Sequence, residues 1–95
     1  MNYSLSNHAQ KRMAQRGISA QIIEMVVHYG RRLHIRKAQV FFFGEKELSY
    51  CQKHWPDGNP DGLSWRDLKN VVVVVSQNTI KTTYRNRTPC LHEFR

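Results

Sequence analysis

A histidine and two arginines recur at every fourth residue near the start of the chain, at His8, Arg12 and Arg16. If this segment is helical, at about 100° per residue, the three side chains follow one stripe of its surface. A guanidinium stays charged at any working pH, and its planar donors match phosphate oxygens. An imidazole, with an ordinary pKa of about 6.5, can take or give a proton near neutral pH. The stripe therefore predicts that Arg12 and Arg16 hold a phosphodiester while His8 acts as general base.

The same helix carries an apolar row that overlaps the basic one. Its members are Leu5, Ala9 and Met13. Arg16 shares the direction of this row, so we expect its guanidinium at the edge of the core, paired or facing a cleft. A purely structural alternative stays open, in which the arginines extend over the surface or pair with carboxylates. The candidate carboxylates are Glu24, Glu45 and Glu47.

A second group of functional side chains lies near the end of the chain. Thr82 and Tyr84 are two residues apart, which places both on one face of a strand, and Arg85 and Arg87 follow them. Hydroxyls beside arginines can orient a phosphate, and the Tyr84 phenol could protonate a leaving oxygen. We therefore predict substrate binding by Thr82 and both arginines, with Lys11 of the first helix as a further contact. Alternatively, Thr82 and Tyr84 are present for their β propensity alone.

Metal chemistry has weaker support in the sequence. Cys51-x-x-His54 and Cys90-x-His92 could supply two halves of a zinc site, but the second has one intervening residue and the two lie far apart. The 7 acidic residues are scattered, which disfavours a magnesium-dependent nuclease. The chain also contains no glycine-rich phosphate loop. We therefore predict chemistry that uses no metal and no cofactor.

Local signals predict two helices at the start of the chain. We expect one at residues 8–16, where Ser6 and Asn7 both offer N-cap oxygens, and one at residues 20–29, capped by Ser19; a glycine follows each. The second is apolar at all but a few positions, a pattern typical of a helix buried in the core. The first helix would then carry the basic stripe.

The remainder of the chain predicts strands, turns and one short helix. Residues 31–43 favour a hairpin that turns near Lys37 and Ala38, and residues 45–53 a surface helix. Turn formers dominate residues 55–62, and we expect Trp65 and Leu68 to hold that loop against the body. Five valines at 71–75 predict a strand buried on both faces. A turn at 76–78 then leads to a last strand at 80–85.

This order of elements favours an α+β fold. Two N-terminal helices would pack on one face of a four-stranded antiparallel sheet, with the short helix inserted between the strand pairs. The length of 95 residues fits one domain, which we assign to residues 1–95.

The net charge of the chain limits the classes of molecule that it can be expected to bind. Lys and Arg total 15 against 7 Asp and Glu, giving a net charge of +8 and a pI near 10.0. Such a charge attracts nucleic acid, an anionic membrane surface or an acidic protein, although it could also be a basic surface without a specific partner. No apolar run approaches the roughly 18 residues of a membrane span, and no signal pattern follows Met1. We therefore expect a cytoplasmic protein with no membrane partner.

The motifs also resemble those of a known family. The segment His8-Ala-Gln-Lys-Arg-Met-Ala-Gln-Arg-Gly-Ile-Ser19 is similar to the opening signature of the domain-of-unknown-function 4258 (DUF4258) family, His-Ala-x-x-Arg-Met-x-x-Arg-x-Ile. The resemblance continues through Tyr29-Gly-Arg31 and the strands at 40–43 and 71–75. It ends at Ile80-Lys-Thr-Thr-Tyr-Arg85, which is similar to the closing strand of the family.

This resemblance implies a fold and an activity. The family is thought to be related to RelE-like toxins of the barnase–EndoU–colicin–RelE fold, which implies a metal-independent ribonuclease with helices on a four-stranded sheet. It would place His8, Arg12 and Arg16 on one side of a cleft, and Thr82 with Tyr84 on the other. An acidic antitoxin often neutralises such proteins.

Three functions are compatible with the charge, the motifs and the resemblance. The first is an endoribonuclease toxin of a toxin–antitoxin pair, with RNA as substrate, the ribosome as a further candidate partner and an acidic antitoxin. The second is a non-catalytic nucleic-acid-binding module, in which the aromatic residues 41–43 would stack on bases unless they belong to the core. The third is a RelE-fold protein that inhibits a protein target such as a topoisomerase.

Overall fold

A layer of helices covers one face of a mixed five-stranded sheet in the part of the chain that the computed structural model describes, residues 3–86. The elements in order are β1 (Ser4–Leu5), α1 (Asn7–Arg16), α2 (Ala20–Tyr29), β2 (Arg31–Ile35), β3 (Ala38–Phe42), α3 (Glu45–His54), α4 (Trp65–Leu68), β4 (Val71–Ser76) and β5 (Thr79–Arg85). The α+β class is therefore confirmed. Within residues 3–86, no helix is long and apolar enough to cross a bilayer.

The helix α2 has its predicted bounds, and α1 ends as predicted but begins one residue earlier, at Asn7. The Ser6 hydroxyl accepts from the Ala9 amide at 3.0 Å, and the Ser19 hydroxyl accepts from the Ile22 amide at 3.3 Å. Gly17 ends α1 with a φ of 63°, the left-handed conformation that glycine adopts without strain. These caps fix where α1 starts and stops, and so which residues lie on each of its faces.

The sheet differs from the prediction by one strand. Its order is β1-β5-β4-β3-β2. Neighbouring strands from β5 to β2 pair antiparallel, and β1 pairs parallel with β5. The prediction of a four-stranded antiparallel sheet is therefore incomplete. Two residues are too few to show an alternating pattern, so β1 is visible only where Ser4 and Leu5 lie beside β5.

The connections follow the predicted turn signals, with two local differences. The β4–β5 turn uses Gln77 and Asn78 at φ values of 52° and 59°, as primed hairpin turns require. The β2–β3 hairpin turns at Arg36 and Lys37, one residue earlier than predicted, with Arg36 at a φ of 56°. The loop after α3 turns at residues 56–57 and 60–61, within the predicted turn-rich segment, and then forms the unpredicted helix α4, four residues long.

The valine strand buries side chains on both faces, as predicted. Val71, Val73 and Val75 belong to the main core between the sheet and the helices, whereas Val72 points to the opposite face. That face carries a smaller apolar cluster of Val40, Phe42 and Val72, against which further side chains pack: Leu33, Ile35, Val74 and Tyr84. The sheet thus separates two groups of side chains, one that faces the helices and one that faces away from them. The predicted site residues are therefore described below by the face on which they lie.

Candidate functional site

The start of α1 is fixed to β5, and this attachment orients the basic stripe. The Ser6 amide donates to the Ile80 carbonyl, and the Ser6 hydroxyl donates to the Lys81 carbonyl, each at 3.1 Å. Ala9 is fully buried in the main core and Met13 packs against it. Because one side of α1 is anchored in this way, the stripe is left on its outer surface.

His8 and Arg12 are in direct contact on that surface. Arg12 Nε donates to His8 Nε2 at 3.5 Å, and Arg12 Nη1 donates to Gln15 Oε1 at 3.3 Å. His8 is exposed and Arg12 is half-buried. A general base at this position would be the neutral imidazole, whose unprotonated ring nitrogen can accept a proton. Since 3.5 Å is the outer limit of a hydrogen bond, a phosphate oxygen could readily replace the imidazole as the partner of Arg12.

Arg16 does not lie where its helical angle predicts. It is exposed instead of lying at the edge of the core. Arg16 is the last residue of α1, and the chain turns at Gly17 so that Ile18, at 2% exposure, fills the adjoining core space. Lys11 is exposed on the same helix.

Two of the carboxylates that could have neutralised the stripe have other cationic partners. Glu47 lies 3.4 Å from Arg31, and Glu45 lies 3.7 Å from Lys69. For these two acids the structure therefore shows other partners, and the structural alternative for α1 stays open through Glu24 or through arginines that extend over the surface. The cations of α1 remain on the outer side of the helix.

Arg85 joins three elements through backbone carbonyls. Its Nη1 donates to the Arg16 carbonyl at 2.5 Å, and its Nη2 donates to the Asp67 carbonyl at 3.2 Å. A cation at the last carbonyls of α1 also interacts favourably with the negative end of the helix dipole. These contacts give Arg85 a structural role, and its predicted substrate contact stays a prediction.

Thr82 and Tyr84 project from the face of β5 that points away from the helices. They pair with Val74 and Val72, and these four side chains share the sheet face opposite the helices. The prediction that Thr82 and Tyr84 share a face is thus confirmed. The tyrosine packs against the smaller cluster, so the two predicted halves of the site flank β5. Arg87 lies outside the described residues.

The described residues add no support for metal or thiol chemistry. Among residues 3–86, no three His, Cys, Asp or Glu side chains gather as ligands of a metal ion. Cys51 is fully buried in the main core, and that burial raises the pKa of its thiol, with a further contribution from the Glu47 carboxylate. It is therefore an inert core residue. Cys90 and His92, the other half of the considered zinc site, lie outside the described residues.

The exposed aromatic residues are not those that the sequence suggested. Phe41, Phe42 and Phe43 are all buried at 4% exposure or less, so the suggested stacking surface at 41–43 is wrong. Successive residues of a strand point to opposite faces, and both faces of this sheet are covered at β3. Exposed rings lie instead at the end of α2, at Tyr29, and along α3, at Tyr50. The four-residue spacing of Tyr50 and His54 is the sequence signal that could have indicated them.

Comparison with known proteins assigns a family to the chain. The sequence model of the family described as domain of unknown function (DUF4258) matches residues 5–85. Because this match spans β1 to the end of β5, the chain belongs to the DUF4258 family, and the resemblance drawn from its motifs is confirmed. No curated protein and no solved structure matches the chain significantly.

Proposed function

We propose that this protein is a metal-independent endoribonuclease that attacks RNA through a ribose 2′-hydroxyl. The observation that carries the proposal is the contact of Arg12 Nε with Nε2 of His8 on an exposed helix face. A base and a cationic phosphate ligand thus lie side by side before substrate arrives, which lowers the cost of assembling them. The net charge of +8 attracts the polyanionic substrate.

In the proposed reaction, His8 removes the proton from the 2′-hydroxyl. The 2′-oxygen attacks the adjacent phosphorus and the bond to the 5′-oxygen breaks, leaving a 2′,3′-cyclic phosphate and a 5′-hydroxyl. Arg12 exchanges its imidazole contact for a phosphate oxygen, and Arg16, one turn further along α1, adds a second positive charge. Both stabilise the additional negative charge of the pentacoordinate transition state.

Tyr84 is the proposed proton donor to the departing 5′-oxygen, with Thr82 orienting the phosphate. Beyond the pair of Leu5 with Ile80, β5 has no further strand partner on its outer side within residues 3–86. An RNA backbone that crosses this edge would contact both α1 and the Tyr84 face of the sheet. Because the 2′- and 5′-oxygens share one phosphorus in the transition state, this role requires His8 and Tyr84 to reach the same phosphate around that edge.

The same surface supports a role as the toxin of a toxin–antitoxin pair. Lys11 and Arg16 are exposed on α1 beside the half-buried Arg12, and an acidic protein segment would complement their charge. Such a partner would cover the phosphate-binding cations and so block cleavage. Induced expression is expected to arrest growth, and co-expression of a small acidic protein encoded beside this one is expected to relieve the arrest.

Cleavage of RNA in the presence of EDTA tests the activity directly. Wild-type protein is expected to yield fragments ending in 2′,3′-cyclic phosphate from free or ribosome-bound RNA, and a His8→Ala, Arg12→Ala double variant is expected to yield none. A matched control is His34→Ala with Arg32→Ala, which removes the same residue types from exposed positions of β2. Equal cleavage by wild type and the α1 variant would refute the proposal. Binding without any cleavage would favour a non-catalytic RNA-binding module.

A further inference from the structure

Aromatic rings form a continuous group where the C-terminal ends of α2 and α3 meet. Tyr29 of α2 makes an edge-to-face contact with Trp55 at a centroid distance of 4.9 Å, and Trp55 makes another with His54 at 4.8 Å. The His54 ring is in turn within 5° of parallel to Tyr50, with centroids 6.1 Å apart. We call these four residues the ring patch. Each ring is held by a neighbour, so the patch is preorganised.

The ring patch concentrates the exposed apolar surface of the molecule. Within residues 3–86, the exposed large hydrophobic side chains are Tyr50, at 65%, and Tyr29, at 40%, and both belong to the patch. Trp55 is half-buried and packs against the main core, which supports the patch from beneath. A ring such as that of Tyr50 gains little from folding while it faces water, so its exposure points to a partner.

Positive charge accompanies the rings. Lys46 and Lys53 lie with Tyr50 along a shallow groove on α3, as their three- and four-residue spacings require. The groove also contains the carboxylate of Glu45, but Lys69 lies 3.7 Å from it and offsets its charge. An exposed ring between two ammonium groups matches a ligand that has flat apolar surfaces and regularly spaced negative charges.

We propose that the ring patch and its two lysines bind single-stranded RNA, with bases stacked on Tyr50 and Tyr29 and phosphates beside Lys46 and Lys53. Unpaired bases are required, because a duplex covers the faces of its own bases. The inference rests on the proposed function in that RNA is taken as the ligand. The patch is distinct from the cleavage site, because α1 packs on β5 while α2, which carries Tyr29, packs on β4 and β3.

A non-cleavable probe separates this inference from the proposed activity. The probe is a fluorescent, single-stranded 2′-O-methyl oligonucleotide of about 12 nucleotides, long enough to occupy one binding surface of this kind. Fluorescence anisotropy is expected to show that Tyr50→Ala weakens binding about fivefold or more, the lower range for loss of one stacked base. Tyr50→Phe, which keeps the ring, is expected to bind like wild type. A duplex probe of the same length is expected to bind both variants equally.

The outcomes are distinguishable from those of the cleavage assay. Because Tyr50 is largely exposed, Tyr50→Ala should leave the fold intact, and thermal unfolding followed by circular dichroism checks this. The inference would be overturned if Tyr50→Ala bound the probe with wild-type affinity, or if Tyr50→Phe lost as much affinity as Tyr50→Ala. It would also be overturned if Tyr50→Ala changed only the self-association of the protein and not its affinity for the probe. If Tyr50→Ala weakens binding and unmodified RNA is not cleaved, the inference stands and the proposed activity fails.

Discussion

At the scale of single residues, the proposed chemistry depends on the geometry of the Arg12 guanidinium. Its Nε faces His8 and its Nη1 faces Gln15, so its planar fork is already oriented. A lysine at this position would keep the charge but lose both directed contacts. We expect Arg12→Lys to lower kcat/KM for RNA cleavage about tenfold and Arg12→Ala about a hundredfold. Arg32→Ala, at an exposed site on β2, is the control; wild-type kcat/KM in Arg12→Ala would contradict the assignment.

Tyr84 allows packing to be separated from catalysis. Its ring packs against the smaller apolar cluster beside Val72, and phenylalanine would preserve that packing. If the phenol protonates the leaving oxygen, Tyr84→Phe should lower the cleavage rate about a hundredfold, well beyond any change that its effect on the free energy of unfolding explains. Single-turnover cleavage and urea unfolding measure the two effects. Cleavage at the wild-type rate would confine the reactive groups to α1.

Cys51 links burial to the pH dependence of stability. Burial and the Glu47 carboxylate raise the pKa of its thiol above the ordinary value of 9.0. The unfolded chain therefore loses this proton first, so the free energy of unfolding falls as pH rises above 9.0, by up to about 1.4 kcal/mol per pH unit. Urea unfolding between about pH 8 and about pH 10 should show a steeper decline for wild type than for Cys51→Ala. Parallel profiles would show that Cys51 does not contribute.

At the scale of elements, one serine connects the basic helix to the sheet. The Ser6 hydroxyl both caps α1 and donates to the Lys81 carbonyl, whereas the Ser19 hydroxyl caps α2 alone. We expect Ser19→Ala to reduce the free energy of unfolding by about 1 kcal/mol, and Ser6→Ala by about 2 kcal/mol. Chemical denaturation measures both values. An equal cost for the two substitutions would show that the Lys81 contact adds nothing.

The elements also explain why Gly30 follows α2. An added Cβ there would collide with the carbonyl oxygen of Val26, while a second close approach comes from the Phe42 carbonyl. The chain passes from α2 into β2 at this point, and only a residue without a side chain allows that contact. The sequence indicates a helix stop at Gly30, whereas its physical reason is the neighbouring strand.

At the scale of the whole molecule, charge determines how RNA binding responds to salt. With about four phosphate contacts to a single strand, the slope of log K against log salt concentration should be near −3. Because Lys11 is exposed on α1, Lys11→Ala should make the slope shallower by about 0.7 if that lysine contacts a phosphate. Filter binding of a non-cleavable oligonucleotide over a range of salt concentrations provides the measurement. A slope near zero would exclude polyanions as partners.

Much of the molecule could be predicted from local patterns in the sequence. Capping serines, glycine stops, the valine run and the turn formers each act over a few residues, so helices α1 to α3 and strands β2 to β5 were predictable. The same locality explains the contact of His8 with Arg12, which are neighbours on any helix. The family signature is a local motif as well, and the match over residues 5–85 confirms it.

Only the tertiary structure decided which surfaces of the elements contact one another. The sequence does not show that β1 joins β5, that Arg85 binds the carbonyl at the end of α1, or that Tyr84 lies across β5 from the anchored face of that helix. It also does not show that residues 41–43 are buried while Tyr29 and Tyr50 are exposed together. Local propensity fixes the direction of a side chain within its own element. Exposure and partners depend on the elements packed against it, and these come from distant parts of the chain.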